Sequence, residues 1–408
     1  MPSPKESTND SDSINLDELR YLLTIRYCPK GAPILPKLTW KDFIPYSGLE
    51  TVVKPLLEGV IKSAIDTEKP KTVGIAISGG VDSTTVLALT RKLYPKLDIK
   101  SVCITFGEDK SESVDAQNAA EMFDTDHFHL NVENPIQELP RQISILRVPR
   151  WNTYTYYIFE YFARNKVDVL LTGDGGDEMF GGYAFRYKEI LNSPTLNAKV
   201  YLNSHKMDWV PDQAKLFGRR IEFLWGEIYS ALSEYFSNPL DKLGQTFLAD
   251  YNGKLLYDFA PTNTCFAKHF NENMIAPLLN KEAIYAISHL PYHFKYDYRN
   301  NVGKIILRQI LLENFAYKSA VKRKVGFGMN REEMWRKTRD SAIAMFEEAQ
   351  CVEMGLINKA WLNGAIEKAN SKMSETKLRY VTKLFSILAL EVWLRLFVTK
   401  EIRATDKL

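Results

Sequence analysis

Ser78-Gly79-Gly80-Val81-Asp82-Ser83 is a string whose residue types could do chemistry together. It follows the β-rich run KTVGIAI (71–77) and precedes STTVLALTRKLYP, which reads as a helix ending at Pro95. Successive backbone N–H groups at a glycine-rich turn that opens a helix form an anion nest, and the helix dipole adds to it. Gly79 and Gly80 let the main chain approach a phosphate or pyrophosphate closely, and Ser78, Ser83 and Thr84 add hydroxyl donors. Asp82 repels such a ligand unless a cation lies between them, which calls for Mg2+. No GK[ST] follows, so this is not a Walker A loop and no lysine is placed there for a γ-phosphate. A tight strand-to-helix turn with no ligand is the plainer alternative.

A second glycine-rich junction, LLTGDGGDEMFGGY (170–183), holds Asp174, Asp177 and Glu178. Three carboxylates so close repel one another unless a cation or a basic residue compensates. Asp177 could share Mg2+ with Asp82, and Asp174 could face a substrate; solvated acids on a loop are the alternative. Lys324 closes the basic run KSAVKRK (318–324) and could offset charge on a phosphate, though the run also fits a solvated face. Arg147 and Arg150 in LRVPRWNTY are candidates for binding a substrate carboxylate. His127 and His129 share one strand-like run and read as structural, and Cys103 reads as a small buried residue.

The elements that must position these groups alternate. Strand-like runs at 71–77, 100–106, 126–132 and 167–173 are separated by helical stretches, including 113–124 and 155–165. That spacing predicts an α/β core with a mainly parallel sheet covered on both faces, and ligands at the carboxyl ends of its strands. Helix 49–66 precedes this core. After about residue 190 the chain is Leu- and aromatic-rich, mostly helical and without a clear strand. The expected division is an N-terminal tail over 1–48, an α/β core carrying both glycine-rich strings over 49–194 and a helical lobe over 195–408.

The 408 residues carry a net charge of +3, which gives no reason to expect a nucleic-acid or membrane partner. Four scattered cysteines, with no CxxC pair, fit neither a zinc ribbon nor a disulfide framework and suggest a cytoplasmic setting. The apolar stretch 378–398 is interrupted by Lys383, Glu391 and Arg395, so it reads as a buried helix and not a membrane span.

SGGVDS resembles the signature of the PP-loop ATP pyrophosphatases, which cleave ATP between the α- and β-phosphates. With TGDGGDEMFGGY, and with the later segments LPYHFKYDYRNNVGKIILRQIL, AVKRKVGFGMNREEMW and FSILALEVWLRLF, the chain resembles the synthetase domain of the asparagine synthetase family over about residues 50 to 398. The resemblance implies a Rossmann-like PP-loop core with a helical C-terminal lobe. It implies ATP and Mg2+ as cofactors and an AMP-forming carbon–nitrogen ligase activity. By position, Ser78, Gly79, Gly80, Asp82 and Ser83 match the pyrophosphate loop. Ile77 and Ile104 match adenosine contacts, and Thr172 and Gly173 match ribose and adenine contacts. Asp82 and Asp177 match the magnesium acids, Asp174 the acid beside the amino-acid substrate, and Lys324 the lysine that steadies the α-phosphate.

The implied substrates are aspartate, or another carboxylate, and ammonia. The segment LRYLLTIRYCPKG (19–31) resembles the end of the family's glutaminase domain, and no cysteine stands where that domain's nucleophile would. The expectation is a chain that kept only a remnant of that domain. It would take nitrogen from free ammonia, from a separate glutaminase subunit or from another amine, and it could act as a homodimer. A related ligase forming other amides or lactams, and a non-catalytic paralogue, are the alternatives.

Overall fold

The computed structural model describes residues 15–107, 111–321 and 330–408. Five strands, β1 (Thr72–Ala76), β2 (Asp98–Phe106), β3 (Asp126–Val132), β4 (Val169–Leu171) and β5 (Met274–Ile275), form one parallel sheet in the order β3-β2-β1-β4-β5. The helices α1 (Leu16–Ile25), α2 (Val53–Glu68), α3 (Val81–Leu93), α4 (Ser111–Met122), α5 (Leu139–Leu146) and α6 (Thr155–Arg164) precede β4 in the chain.

Side-chain alternation along the strands sends neighbours to opposite faces. Val73, Ile75, Val169 and Leu171 join the core that contains Leu57 and Ile61 of α2 and Leu87 of α3. Val102, Ile104 and Leu170 join a second core with Phe159 and Phe162 of α6. A Cβ at Gly74 would lie 2.8 Å from the Phe162 ring, so the glycine lets α6 lie close on the sheet. The sheet is therefore covered on both faces, as an all-parallel sheet must be.

The remainder of the chain is mostly helical, and its last long helix, Glu375–Phe397, is buried through most of its length. The charges that interrupt its apolar run are each accounted for. Glu391 accepts from the backbone N–H groups of Gln350 at 2.9 Å and Cys351 at 3.0 Å, and from Arg395 Nε at 2.7 Å. Lys383 donates to the backbone oxygens of Leu23 and Asp208. No helix among the described residues is long and apolar enough to cross a membrane.

Two features differ from the sequence reading. The stretch after residue 190 does contain strands: β5 pairs with β4, and Tyr296–Asp297 and Val302–Gly303 form a small antiparallel pair. Two-residue strands carry no readable period. Within 15–48, α1 is capped by the Asn15 side chain, and Tyr21, Leu23, Ile25, Tyr27 and Phe43 are buried, so this segment is packed into the cores.

Lys295 is fully buried, donating to the Ser288 carbonyl at 3.3 Å with its ammonium facing the rings of Phe43 and Phe247. Burial pushes its pKa down to about 7, from 10.5. Below pH 7 both folded and unfolded chains carry the proton, and the fold bears the full cost of the buried charge. As pH rises from 7 to 10.5 the unfolded chain alone keeps the proton, so this cost shrinks, and above 10.5 it vanishes. Lys295→Met should therefore stabilise the fold by on the order of a few kcal/mol at pH 6. The gain should be smaller at pH 9, read from urea unfolding midpoints. An equal gain at both values would mean that the lysine keeps its proton in the fold up to pH 9 and that burial does not lower its pKa.

Candidate active site

The chain runs outward from β1 to β2 and β3, then returns to place β4 on the other side of β1. This reversal of strand order opens a crevice at the carboxyl ends of β1 and β4, where ligands bind in open α/β sheets. The two glycine-rich strings are the loops that leave these two strands.

In the first loop Gly79 has φ +65°, and a Cβ there would lie 2.5 Å from the backbone of Asp115, so the position needs glycine on both counts. Gly80 starts α3 in an extended conformation, with no side-chain cap among the described residues. The helix thus presents its first N–H groups to the crevice. Within the loop, Ser78 Oγ accepts from the Gly80 N–H at 3.4 Å, and Ser83 Oγ from the Ser78 N–H at 3.5 Å. Bonds this long are weak, and a phosphate could displace them at little cost. Ile77 and Ile104 lie buried at the ends of their strands. The Ile77 N–H donates to the Val102 carbonyl at 2.8 Å, which carries the pairing one residue past β1.

The second loop interlocks with the first. A Cβ at Gly173 would lie 2.7 Å from the Ser83 nitrogen, and one at Gly176 would overlap the Asp82 carboxyl group. Thr172 is buried, and its N–H donates to the Ile275 carbonyl at 3.0 Å, so β5 fixes where this loop begins. Gly175, at φ +86°, turns the chain into the short helix Gly176–Met179 that carries Asp177 and Glu178.

Asp82 and Asp177 converge on one cation, Lys304. Its Nζ contacts Asp82 Oδ2 and lies 2.6 Å from Asp177 Oδ1. Burial opposes the charge on Lys304, but the two carboxylates outweigh it and raise the pKa above the usual lysine range. The Lys304 N–H donates to the Phe180 carbonyl at 2.8 Å, and the missing side chain at Gly182 makes room for its stem. Arg308, one turn along the helix Ile305–Phe315, donates to the carbonyls of Gly303, at 2.8 Å, and Ala320. Burial lowers its pKa while nearby Asp82 opposes that shift. Neither Lys304 nor Arg308 was singled out from the sequence. The available signal was a lysine at the start of a helix, where the dipole disfavours a cation and some other anion must hold it.

The three acids of the second loop have separate environments. Asp174 is partly buried and accepts from Asn263 Nδ2 at 2.8 Å. Burial raises its pKa, with hydrogen bonds from Asn263 and Thr172 opposing. Glu178 points inward and accepts from the Tyr183 hydroxyl. Burial and the Asp177 charge push its pKa up to about 8, so at neutral pH it is largely a neutral carboxyl. Asp177, half-exposed, is left facing Lys304.

Lys324 lies outside the described residues. On either side of it, Ala320 is held by Arg308, and Asn330 caps the helix Arg331–Glu347. Arg147 and Arg150 do not bear out their reading as carboxylate ligands. Arg150 is buried and committed to Asp258 Oδ1 at 2.6 Å, Thr262 Oγ1 at 2.8 Å and the Tyr257 carbonyl at 3.0 Å. Arg147 caps α5 with its guanidinium over the Phe397 ring. His127 and His129 bond the hydroxyls of Ser101 and Thr105 on the neighbouring strand, and Cys103 is buried. A separate cavity of about 350 Å³, lined by Arg150, Thr262, Cys265 and the 15–32 segment, contains none of the motif residues.

A parallel sheet whose order reverses beside a glycine-rich strand-to-helix loop, with paired acids and a lysine across the crevice, defines an open α/β fold with its site at the switch point of the sheet. The asparagine synthase family model matches residues 53–395, and the chain belongs to that family. Among its relatives, an asparagine synthetase (glutamine-hydrolysing) 2 of Methanocaldococcus jannaschii is 30% identical over 162 residues, 38% of this chain and 28% of that protein. The human glutamine-hydrolysing asparagine synthetase is 27% identical over 162 residues, 36% of this chain and 28% of that protein. The chain thus matches less than a third of the length of these relatives. A solved NMN synthetase from Francisella tularensis overlaps 70% of this chain and all of its own at 12% identity and a TM-score of 0.25, too distant to add to the argument.

Proposed function

We propose that this chain is an ATP-dependent, AMP-forming amide ligase. It adenylates a carboxylate, most simply the β-carboxylate of aspartate, and then transfers ammonia to it. The observation that carries the reading is the convergence of both signature loops, with Asp82, Asp177 and Lys304, at the crevice between β1 and β4.

The first loop would hold the β- and γ-phosphates on the N–H groups of residues 79–83 and the hydroxyls of Ser78 and Ser83. Ile77, Ile104, Thr172 and Gly173 would border the nucleoside. A substrate carboxylate oxygen attacks the α-phosphorus. The bond to the α,β-bridging oxygen breaks, and pyrophosphate leaves. Lys304, and Lys324 by family resemblance, would offset the negative charge that builds there. Asp174 would face the substrate's ammonium group. The amine then attacks the acyl carbon, and AMP leaves with the oxygen it gained. Asp82 and Asp177 fit Mg2+: both are hard oxygen donors, from different loops, already converging on a single cation. When bound, the ion would neutralise charge on the departing pyrophosphate.

The test is the product set. With ATP, aspartate and ammonium, the purified chain should yield AMP, pyrophosphate and asparagine; ADP and orthophosphate would overturn the reading. Glutamine should not replace ammonium. The thiols of Cys28 and Cys265 have pKa values raised by burial, and Cys103 and Cys351 are buried, so none of the four cysteines is an activated nucleophile. Amide formation from glutamine by the chain alone would refute that part. A glutaminase retained in a pull-down would identify a separate nitrogen-supplying subunit.

A further inference from the structure

Lys304 stands where its own backbone does not favour a cation. It precedes the helix Ile305–Phe315, whose positive dipole end repels an ammonium, and its φ of +61° is one that a residue other than glycine rarely adopts. Its main chain is nonetheless fixed. The N–H donates to the Phe180 carbonyl at 2.8 Å, the Gly303 carbonyl accepts from Arg308 Nε at 2.8 Å, and a Cβ at Gly303 would overlap the Gly181 carbonyl. A Cβ at Gly182 would lie 2.6 Å from Lys304 Cε and would overlap Asp177 Oδ1, so the lysine stem and this carboxylate pass side by side over bare backbone. The part that can turn is the side chain, and among the described residues its ammonium is paired with Asp82 and Asp177.

The oxygens that face this ammonium, Asp82 Oδ2 and Asp177 Oδ1, belong to the two carboxylates that fit Mg2+. One ammonium leaves a negative charge unbalanced, whereas a divalent ion would balance both carboxylates. A divalent ion brought to these oxygens while the ammonium stays would stand within a few ångströms of a like charge. Lys304 and Asp82 keep only 13% and 17% of their side-chain surface exposed, so water screens that repulsion little. The two cations therefore compete. Phosphates seated on the N–H groups of residues 79–83 would lie beside Asp82, itself one of those residues, and would offer the ammonium another anion. Loading of the anion and loading of the metal are then linked through one side chain.

We infer that Lys304 closes the metal site with the chain's own cation: it and a divalent ion exclude each other between Asp82 and Asp177 until nucleotide phosphates draw the ammonium away. Metal then enters this site together with the nucleotide and not ahead of it. This rests on the phosphate and metal roles proposed above.

The test is metal binding to the full chain without nucleotide, followed by calorimetry with Mg2+ and by electron paramagnetic resonance with Mn2+. Wild type should bind either ion weakly. Lys304→Met, which removes the competing charge and keeps most of the volume, should bind them about 10- to 100-fold more tightly, the usual range for coupling between linked sites. Lys304→Arg keeps the charge and should stay weak. Adding Asp82→Asn to Lys304→Met should abolish the gain. Thermal unfolding is measured alongside, and Lys304→Gln carries the same test if methionine unfolds the chain. Equal affinity in wild type and the neutral variant, a gain shared by Lys304→Arg, or a gain that survives Asp82→Asn would each overturn the inference. Titration of wild type with Mg2+-ATP separates it from the ligase reading. Weak binding of Mg2+ alone and firm binding of Mg2+-ATP, with no AMP formed from any acid, supports the inference and refutes the ligase. AMP formation by a wild type that already binds Mg2+ as tightly as Lys304→Met refutes the inference and leaves the ligase standing.

Discussion

Asp82→Ala and Asp177→Ala should each reduce AMP formation by about a hundredfold or more, the usual scale for removing a group that organises developing charge. The two carboxylates approach Lys304 from different loops. Glu178, next to Asp177 in the chain, is turned inward to Tyr183 and largely neutral at pH 7. The Asp177 side chain is 47% exposed, so its loss should leave the unfolding temperature nearly unchanged and the defect can be read as chemistry. Asp82 is more enclosed, at 17%, and its variant needs that control. Each variant should also need more Mg2+ to reach half-maximal rate. Pyrophosphate release within a few-fold of wild type would remove the residue from the site.

Lys304→Met should lower AMP formation on a similar scale, about a hundredfold. Its ammonium is the cation that Asp82 and Asp177 share, and without it two carboxylates would face each other across the crevice where the proposed reaction seats pyrophosphate. Methionine keeps most of the volume and fills the space left by Gly182, so packing should survive. Two roles are separable by titration. If Lys304 only holds the acids together, excess Mg2+ should restore the rate of the variant. If it also steadies the departing pyrophosphate, the defect should persist at saturating Mg2+, and that is the expected result.

The parts of this site that could be read from the sequence are local. SGGVDS and TGDGGDE each place their glycines and acids within one turn of chain, so their chemistry does not depend on distant residues. The strands at 100–106 and 126–132 appear almost as read, because long strands carry a clear pattern. What could not be read depends on tertiary approach. Lys304 meets Asp82 only because the Tyr296–Asp297 and Val302–Gly303 pair docks beside the second loop. Arg150 and Arg26 look alike as residue types. Only the fold shows that one is secured by Asp258 and Thr262 while the other reaches Asp258 at 3.3 Å and Asp208 at 3.6 Å. Strand β5 is too short to alternate visibly, and its place in the sheet comes from pairing alone.

That last strand also bears on how the protein is made. The outer edge of β4 is covered by Met274–Ile275, which emerge from the ribosome long after Leu171. Until then the parallel sheet ends in an open apolar strand, a template for pairing with other chains. A parallel contact of such sequence separation is also slow to form. The two glycine-rich loops can therefore be locally ordered during synthesis, but the second is not anchored until Ile275 accepts the Thr172 N–H. A fragment ending at residue 194 would contain both signature strings and still lack the strand that seats one of them. For nascent chains this makes the interval between β4 and β5 the stage most exposed to aggregation and most dependent on chaperones.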